Sequence, residues 1–229
     1  MTMQATGDKR GGSGVTGRVT RHKLPDRIYH WLMAASVLTL VGTAFLPIIG
    51  IKFKWVAPHW IAGCILTVLV SYHIVRATIW LDWRSMLVGV KDVINAWRSV
   101  RRAMLLPGDA PDKPGKYPLL NRVYHHAVAS VVIATIVTGL LMMIKVDTPL
   151  WERNPYFFTD MTWGWIYVLH GIASLIVLSL IMMHIYFGFR PEKLHITRSM
   201  ILGWITREEY LEEHDPEAWV ISDERDGKG

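Results

Sequence analysis

Apolar residues gather into four long windows, 28–50, 55–75, 123–144 and 161–189, which together hold 95 residues and no Lys, Arg, Asp or Glu. Each is long enough, as a helix, to cross a hydrocarbon layer roughly 30 Å thick. Between the second and third windows the pattern changes: Met86, Leu87, Val90, Val93, Ile94, Trp97, Val100 and Met104 recur at helical spacing among Arg and Lys. That predicts an amphipathic helix lying on a membrane surface. The Pro- and Gly-rich run 106–115 predicts a loop. Beyond Phe189, Thr206-x-x-Glu209 predicts a capping box opening a short acidic helix, with a break at Pro216. Residues 1–20, rich in Gly, Thr and basic side chains, offer little to bury and predict a disordered arm. The first window lacks the small-residue cleavage pattern of a signal peptide and reads as a retained helix. The expected organisation is therefore an arm over 1–24, a transmembrane domain over 25–190 with a loop at 81–121, and a tail over 191–229.

Composition agrees with a membrane protein. Hydrophobic residues make up 51% of the 229 positions against 19% charged, the mean hydropathy is +0.24, and there are 11 Trp and 11 Met. This excludes a soluble enzyme with one water-facing core. The formal charge of +6 invites a nucleic-acid partner, but its distribution is topological. Six Lys and Arg precede the first window, eight lie in 84–122 and six follow the fourth window. Only Lys52, Lys54, Lys145 and Arg153 fall in the other two connections. By the positive-inside rule both termini and the 81–121 loop are cytoplasmic, giving an all-α, integral membrane four-helix bundle, N-in and C-in. Trp31, Trp55, Trp60, Trp80, Trp83, Trp151 and Trp163 sit near window ends, as an interfacial aromatic belt requires.

Histidines carry the candidate chemistry. The lone cysteine, Cys64, rules out a disulfide framework or an all-cysteine cluster within this chain, and no Cys-x-x-Cys-His is present to attach a haem covalently. His59 and His73 in the second window, and His170 and His184 in the fourth, are each spaced by fourteen residues. Fourteen residues turn a helix through about 1,400° and raise it roughly 21 Å, so both members of a pair face one way near opposite membrane surfaces. A second repeat relates Arg27-Ile28-Tyr29-His30 to Arg122-Val123-Tyr124-His125. Two hairpins of one plan suggest a bundle around shared interior sites.

On this spacing His59 and His170 share an outer level, and bis-histidine haem b is the cofactor such pairs fit. A lone histidine at a helix end is most often an interfacial residue, but four in equal-spaced pairs inside apolar spans are costly without a function. At the inner level His30, His73, His125, His126 and His184 compete. Symmetry nominates His73 with His184, while depth alone does not separate His73 from His30. Gly42, Gly63, Gly139 and Gly171 lie where a flat macrocycle needs room. Arg27, Arg76 and Arg190 are placed to meet the inner haem propionates, and each equally suits an anchor in lipid headgroups, the reading favoured for Arg190.

Several stretches resemble the gamma subunit of membrane-bound formate dehydrogenase, within the bacterial dihaem cytochromes b that also serve nickel–iron hydrogenases. They are Asp26-Arg27-Ile28-Tyr29-His30-Trp31, Pro58-His59-Trp60-Ile61-Ala62-Gly63 with Arg76, Gly115-Lys116-Tyr117, Leu169-His170-Gly171 with Met183-His184-Ile185-Tyr186, and His214-x-Pro216-x-x-Trp219. The resemblance covers about 24–220. It implies two haem b groups, ligated by His59 with His170 and by His30 with His184, leaving His73 as the alternative inner ligand. It further implies a quinone acceptor near Asn121 and Lys116, although Pro118 and Leu120 stand where the family carries polar and small residues. The implied partners are an iron–sulfur subunit and a molybdenum or tungsten catalytic subunit outside the bacterial inner membrane, this chain carrying electrons but no substrate-oxidising centre. The competing readings are a hydrogenase cytochrome b, a stand-alone cytochrome b561-like carrier, and a haem-free proton-coupled transporter. The absence of Asp and Glu from the spans weighs against the last.

Overall fold

The computed structural model describes residues 17–79, 86–105, 117–217 and 219. Among the described residues four helices are long and apolar enough to span a membrane: α1 (Leu24–Phe45), α2 (Val56–Ile79), α4 (Leu119–Met143) and α5 (Asp160–Phe189). Only 11–17% of each apolar stretch is buried inside the protein, so lipid must solvate the rest. The chain is a multi-pass membrane protein built as a helical bundle.

Local chemistry sets the helix ends. Pro25 opens α1 in the first turn, where its missing N–H costs nothing. The first window extends to Gly50, but α1 stops at Phe45, because Pro47 cannot continue the helix and residues 46–50 form a turn. The Thr159 hydroxyl caps α5 by accepting from the Thr162 N–H at 3.3 Å, and Pro191 follows its end. α1 packs along α2 and α4 along α5, while α2 also meets α4, where the Cys64 Sγ lies 3.9 Å from the Met143 Sδ.

The expected surface helix is α3 (Val90–Ala103). Its apolar side chains are open, with Val90 77%, Trp97 61% and Val93 59% exposed. Arg122, in the first turn of α4, ties it down by pairing with Asp92 and donating to the Leu87 carbonyl at 2.8 Å. The Arg122 guanidinium, and then the Gly89 N–H, hold the Asp92 carboxyl below the usual carboxylate range. The expected loop at 106–115, Trp80, Trp83 and Lys116 lie outside the described residues.

The arm expected over 1–24 is corrected over its described part. Arg18–Thr20 form a strand, β1, pairing antiparallel with β2 (Trp204–Thr206), with Val19 opposite Ile205. Few apolar residues are needed, because the C-terminal segment supplies the partner: Val19, Ile205 and Tyr210 form a small core with Trp219 against it. α6 (Leu194–Leu202) reaches this strand pair through Gly203, whose φ of 94° is left-handed. A Cβ there would lie 2.9 Å from the His22 carbonyl, so the close approach of chain start and tail requires glycine. α7 (Arg207–Glu213) carries the expected capping box: Thr206 Oγ1 accepts from the Glu209 N–H, and the Glu209 carboxylate accepts from the Thr206 N–H at 2.8 Å. The described chain start and tail therefore lie together at one end of the bundle, here the terminal end. The opposite end is distal.

Candidate functional site

Helix spacing places two histidine pairs across the bundle. At the distal end His59 on α2 faces His170 on α5, with ring centres 6.5 Å apart and planes at 73°. Their Nδ1 atoms are both held: Thr43 on α1 lies 2.8 Å from His59 Nδ1 and Thr138 on α4 lies 2.9 Å from His170 Nδ1. Each hydroxyl has one hydrogen, and helical backbone takes it, Thr43 donating to the Thr39 carbonyl and Thr138 to the Ala134 carbonyl, both at 2.7 Å. The threonine oxygens are then left to accept, so each ring carries its proton on Nδ1 and keeps the Nε2 lone pair free. This is the arrangement by which an outer hydrogen bond orients a ligating imidazole. Gly139 admits the ring: a Cβ there would lie 3.2 Å from His170 Cε1. Gly63 and Gly42 have only leucine methyls near them, and Gly171 has open space.

At the terminal end the two inner candidates stand apart. His184 on α5 faces His30 on α1, with ring centres 6.3 Å apart at 48°. His73 lies elsewhere: it stacks on Tyr29 at 5.4 Å and 17°, and its ring centre is 6.0 Å from that of His125. Spacing nominates His73 for His184, whereas at this level the two hairpins meet crosswise, α1 against α5 and α4 against α2. Tyr124 stacks on His184 at 5.9 Å, Trp31 stands edge-on to His30, and His126 Nε2 is 3.0 Å from the Met86 carbonyl. His30 Nδ1 is buried with no hydrogen-bond partner among the described residues, a costly state unless a group from outside the chain engages the ring.

These pairs fit one kind of cofactor. Among the described residues no three His, Cys, Asp or Glu side chains gather as a metal-ion cage would need. Two imidazoles on opposite sides of one metal, each bonded at about 2 Å, hold their ring centres roughly 6 Å apart. The observed 6.5 and 6.3 Å match an iron whose other ligands come from a macrocycle.

The polar residues expected around the sites are placed less simply. Arg76 pairs with Asp26 at 2.5 Å, and Arg27 donates to the Leu202 carbonyl at 2.9 Å. Both stand at the terminal end, already engaged by protein. Arg190 is solvent-facing and pairs with Glu192 at 3.1 Å. Asn121 lies exposed in the first turn of α4. Sequence reasoning missed Thr43, Thr138, Tyr29 and Tyr124. The signal was present: Thr43 follows His30 by thirteen residues, as Thr138 follows His125, so the repeat runs further than the Arg-x-Tyr-His segment alone.

Residues 21–203 match the family model described as prokaryotic cytochrome b561. The comparison with curated proteins found no match.

Proposed function

The chain belongs to the prokaryotic cytochrome b561 family, a family of membrane cytochromes b that carry electrons on b-type haem, and on that footing we propose that it holds two such haems and serves as the membrane subunit of a respiratory dehydrogenase. Two imidazole pairs at opposite ends of one bundle, with ring centres 6.5 and 6.3 Å apart, are the observation that carries this reading. His59 and His170 bind the distal group, and His30 and His184 the terminal one. When bound, haem b supplies an iron centre that takes and gives single electrons. The chain's own work is to fix the imidazoles and keep them dry: Thr43 and Thr138 set the distal tautomers, Tyr124 backs His184, and apolar spans exclude water. The excess of Lys and Arg at the terminal end supports its placement in the cytoplasm, in a bacterial inner membrane.

The distal haem then faces outward, where an iron–sulfur subunit would deliver electrons, and the terminal haem faces quinone, with Asn121 and Lys116 as polar contacts. The motif resemblance favours a formate dehydrogenase as the partner. A pyridine haemochrome assay on the purified chain is expected to return no fewer than two haems, and one or none would overturn the reading. In membranes holding the whole complex, formate is expected to reduce both haems. Reduction by hydrogen and not by formate would instead assign the hydrogenase partner.

A narrower test addresses the distal hydroxyls. Thr138→Val keeps the shape but removes the acceptor for His170 Nδ1. Haem retention at that pair is expected to weaken roughly 10- to 100-fold, with the His30–His184 haem unchanged. Equal loss from both sites would show a general packing defect instead.

A further inference from the structure

The two haem pairs leave His73 and His125 unused. Residues 27–43 map onto 122–138 with an offset of 95, and 59–73 onto 170–184 with an offset of 111. Under this pseudo-twofold the His59–His170 pair maps onto itself, whereas the image of His30–His184 is His125–His73, whose ring centres are 6.0 Å apart. The level around them is closed by rings. Tyr29 stacks on His73 and donates to the Leu69 carbonyl at 2.9 Å, as Tyr124 stacks on His184 and donates to the Leu180 carbonyl at 2.8 Å. Rings packed on one another in this way leave no room for a second macrocycle, but imidazoles in file have another use.

The repeat departs one position on. Trp31 Nε1 donates to the Met200 carbonyl at 3.2 Å, while its counterpart His126 sets Nε2 3.0 Å from the Met86 carbonyl. A carbonyl only accepts, so His126 carries its hydrogen on Nε2 and leaves Nδ1 to gain or lose a proton. His126 is exposed, and its ring centre is 5.8 Å from that of His125. His126, His125 and His73 therefore form a file from the surface of α4 to a half-buried position on α2, near enough for their nitrogens to exchange a proton directly or through one water. The first hairpin has a tryptophan at the mouth, and its ring cannot carry a proton. Asn121, the quinone contact named above, precedes His125 by four residues and shares its face of α4.

We propose that these three histidines form a proton relay serving quinone at the terminal end: His125 exchanges protons with the quinone oxygens, His73 holds a second proton beside it, and His126 connects both to the cytoplasmic surface. The relay rests on the reading that quinone is the electron acceptor here. Converting a quinone to a quinol takes two electrons and two protons. The electrons come from haem b held by His30 and His184. For each proton an N–H bond on His125 breaks as an O–H bond forms on the quinone, and the imidazole is refilled from His73 or His126, and so from water. The apolar windows hold no Asp or Glu, so imidazole alone changes its charge there between about pH 5 and 8. The charged and titratable groups that bear on the two inner rings are Tyr29 and Asp26 from α1, Arg76 from α2 and His126 from α4. Asp26 and Arg76 pair with each other at 2.5 Å, so their charges largely cancel at His73.

The relay runs equally in reverse, which allows a test on the full chain purified with haem in detergent. Oxidation of one menadiol to menadione reduces two haems, one electron each, and releases two protons. At saturating menadiol the wild-type rate is expected to rise with pH through the histidine range, about 6 to 7, because only a neutral imidazole accepts the proton. The variants are His125→Phe, His73→Phe and His126→Trp, the last copying the first repeat and keeping a donor for the Met86 carbonyl. In each, menadiol is expected to react roughly 100-fold more slowly and without that rise, and added imidazole to restore the rate. Dithionite, which delivers electrons without protons, is expected to reduce two haems in every variant as fast as in wild type. Menadiol rates and pH profiles equal to wild type in His125→Phe and His126→Trp would overturn the relay and leave the quinone reading intact. Should His125→Phe lose a haem, His126→Trp decides alone: a slow, imidazole-rescued rate supports the relay and a wild-type rate overturns it. Wild type reduced by dithionite and not by menadiol would overturn the quinone reading and the relay with it.

Discussion

Replacing His170 by alanine is expected to remove the distal haem completely while leaving a chain that inserts and keeps its terminal-end haem. The pair it breaks is the best-supported of the bundle. Both rings are oriented by threonines whose own hydrogens are committed to backbone, so neither has another tautomer to adopt. With one imidazole gone, only the other ring of the pair would remain to hold a haem between α2 and α5. Insertion depends on the four apolar spans, and alanine at position 170 keeps α5 apolar. The check is the reduced spectrum of the purified variant: one haem equivalent is expected to vanish. His59→Ala should give the same result, since the pair acts as a unit. Full haem content in either variant would place the distal ligands elsewhere.

The second large effect concerns the terminal clasp. Arg21 is 5% exposed, donates from Nη1 to His214 Nε2 at 2.9 Å, and lies over the Trp219 ring. Arg21→Ala removes that donor from a buried site, a loss of about 1–3 kcal/mol, which raises the open tail roughly 5- to 150-fold. Limited proteolysis is expected to cut the variant after α6 much faster than wild type, with the spans protected. Acid should act on the same unit. Burial alone would raise the Glu209 carboxyl, but the Thr206 N–H and Arg198 outweigh it and hold it below the usual range. Glu213 behaves likewise, with Lys193 and His195 overcoming its burial. Groups whose folded pKa is depressed contribute stability above their unfolded pKa and lose it as pH falls through the folded value. Tail protection is therefore expected to hold at neutral pH and fade below about pH 4.5. Protection that instead weakened between pH 8 and 6 would assign the clasp to histidine titration.

Much of this architecture was legible because a membrane simplifies the code. Spans without charge have few alternatives, and α1, α2, α4 and α5 fall on the four apolar windows. The capping box at Thr206 was legible because it is local chemistry. The pairing of β1 with β2 was not, since it joins residues about 185 apart and neither three-residue strand carries a pattern of its own. At the sites, depth along a helix could be counted, so the distal pair followed from spacing. The terminal pairing could not, because depth does not say which neighbour a helix face meets, and His73 and His30 share a depth. Thr43 and Thr138 were hidden for a different reason. Threonine is common in apolar helices, and only the contact with a ring nitrogen gives these two a role.

The strand clasp also bears on entropy. His30 and His184 are 154 positions apart, and no connecting loop joins the helices that carry them. A flexible chain of that length loses roughly 4–5 kcal/mol in bringing two such points together. The clasp closes the circuit at the very ends of α1 and the tail, with the Arg21 and His22 N–H groups both donating to the Gly203 carbonyl. Once it forms, the two rings are confined to a small volume, and a flat guest that bridges them meets both at a high effective concentration instead of capturing one and waiting for the other.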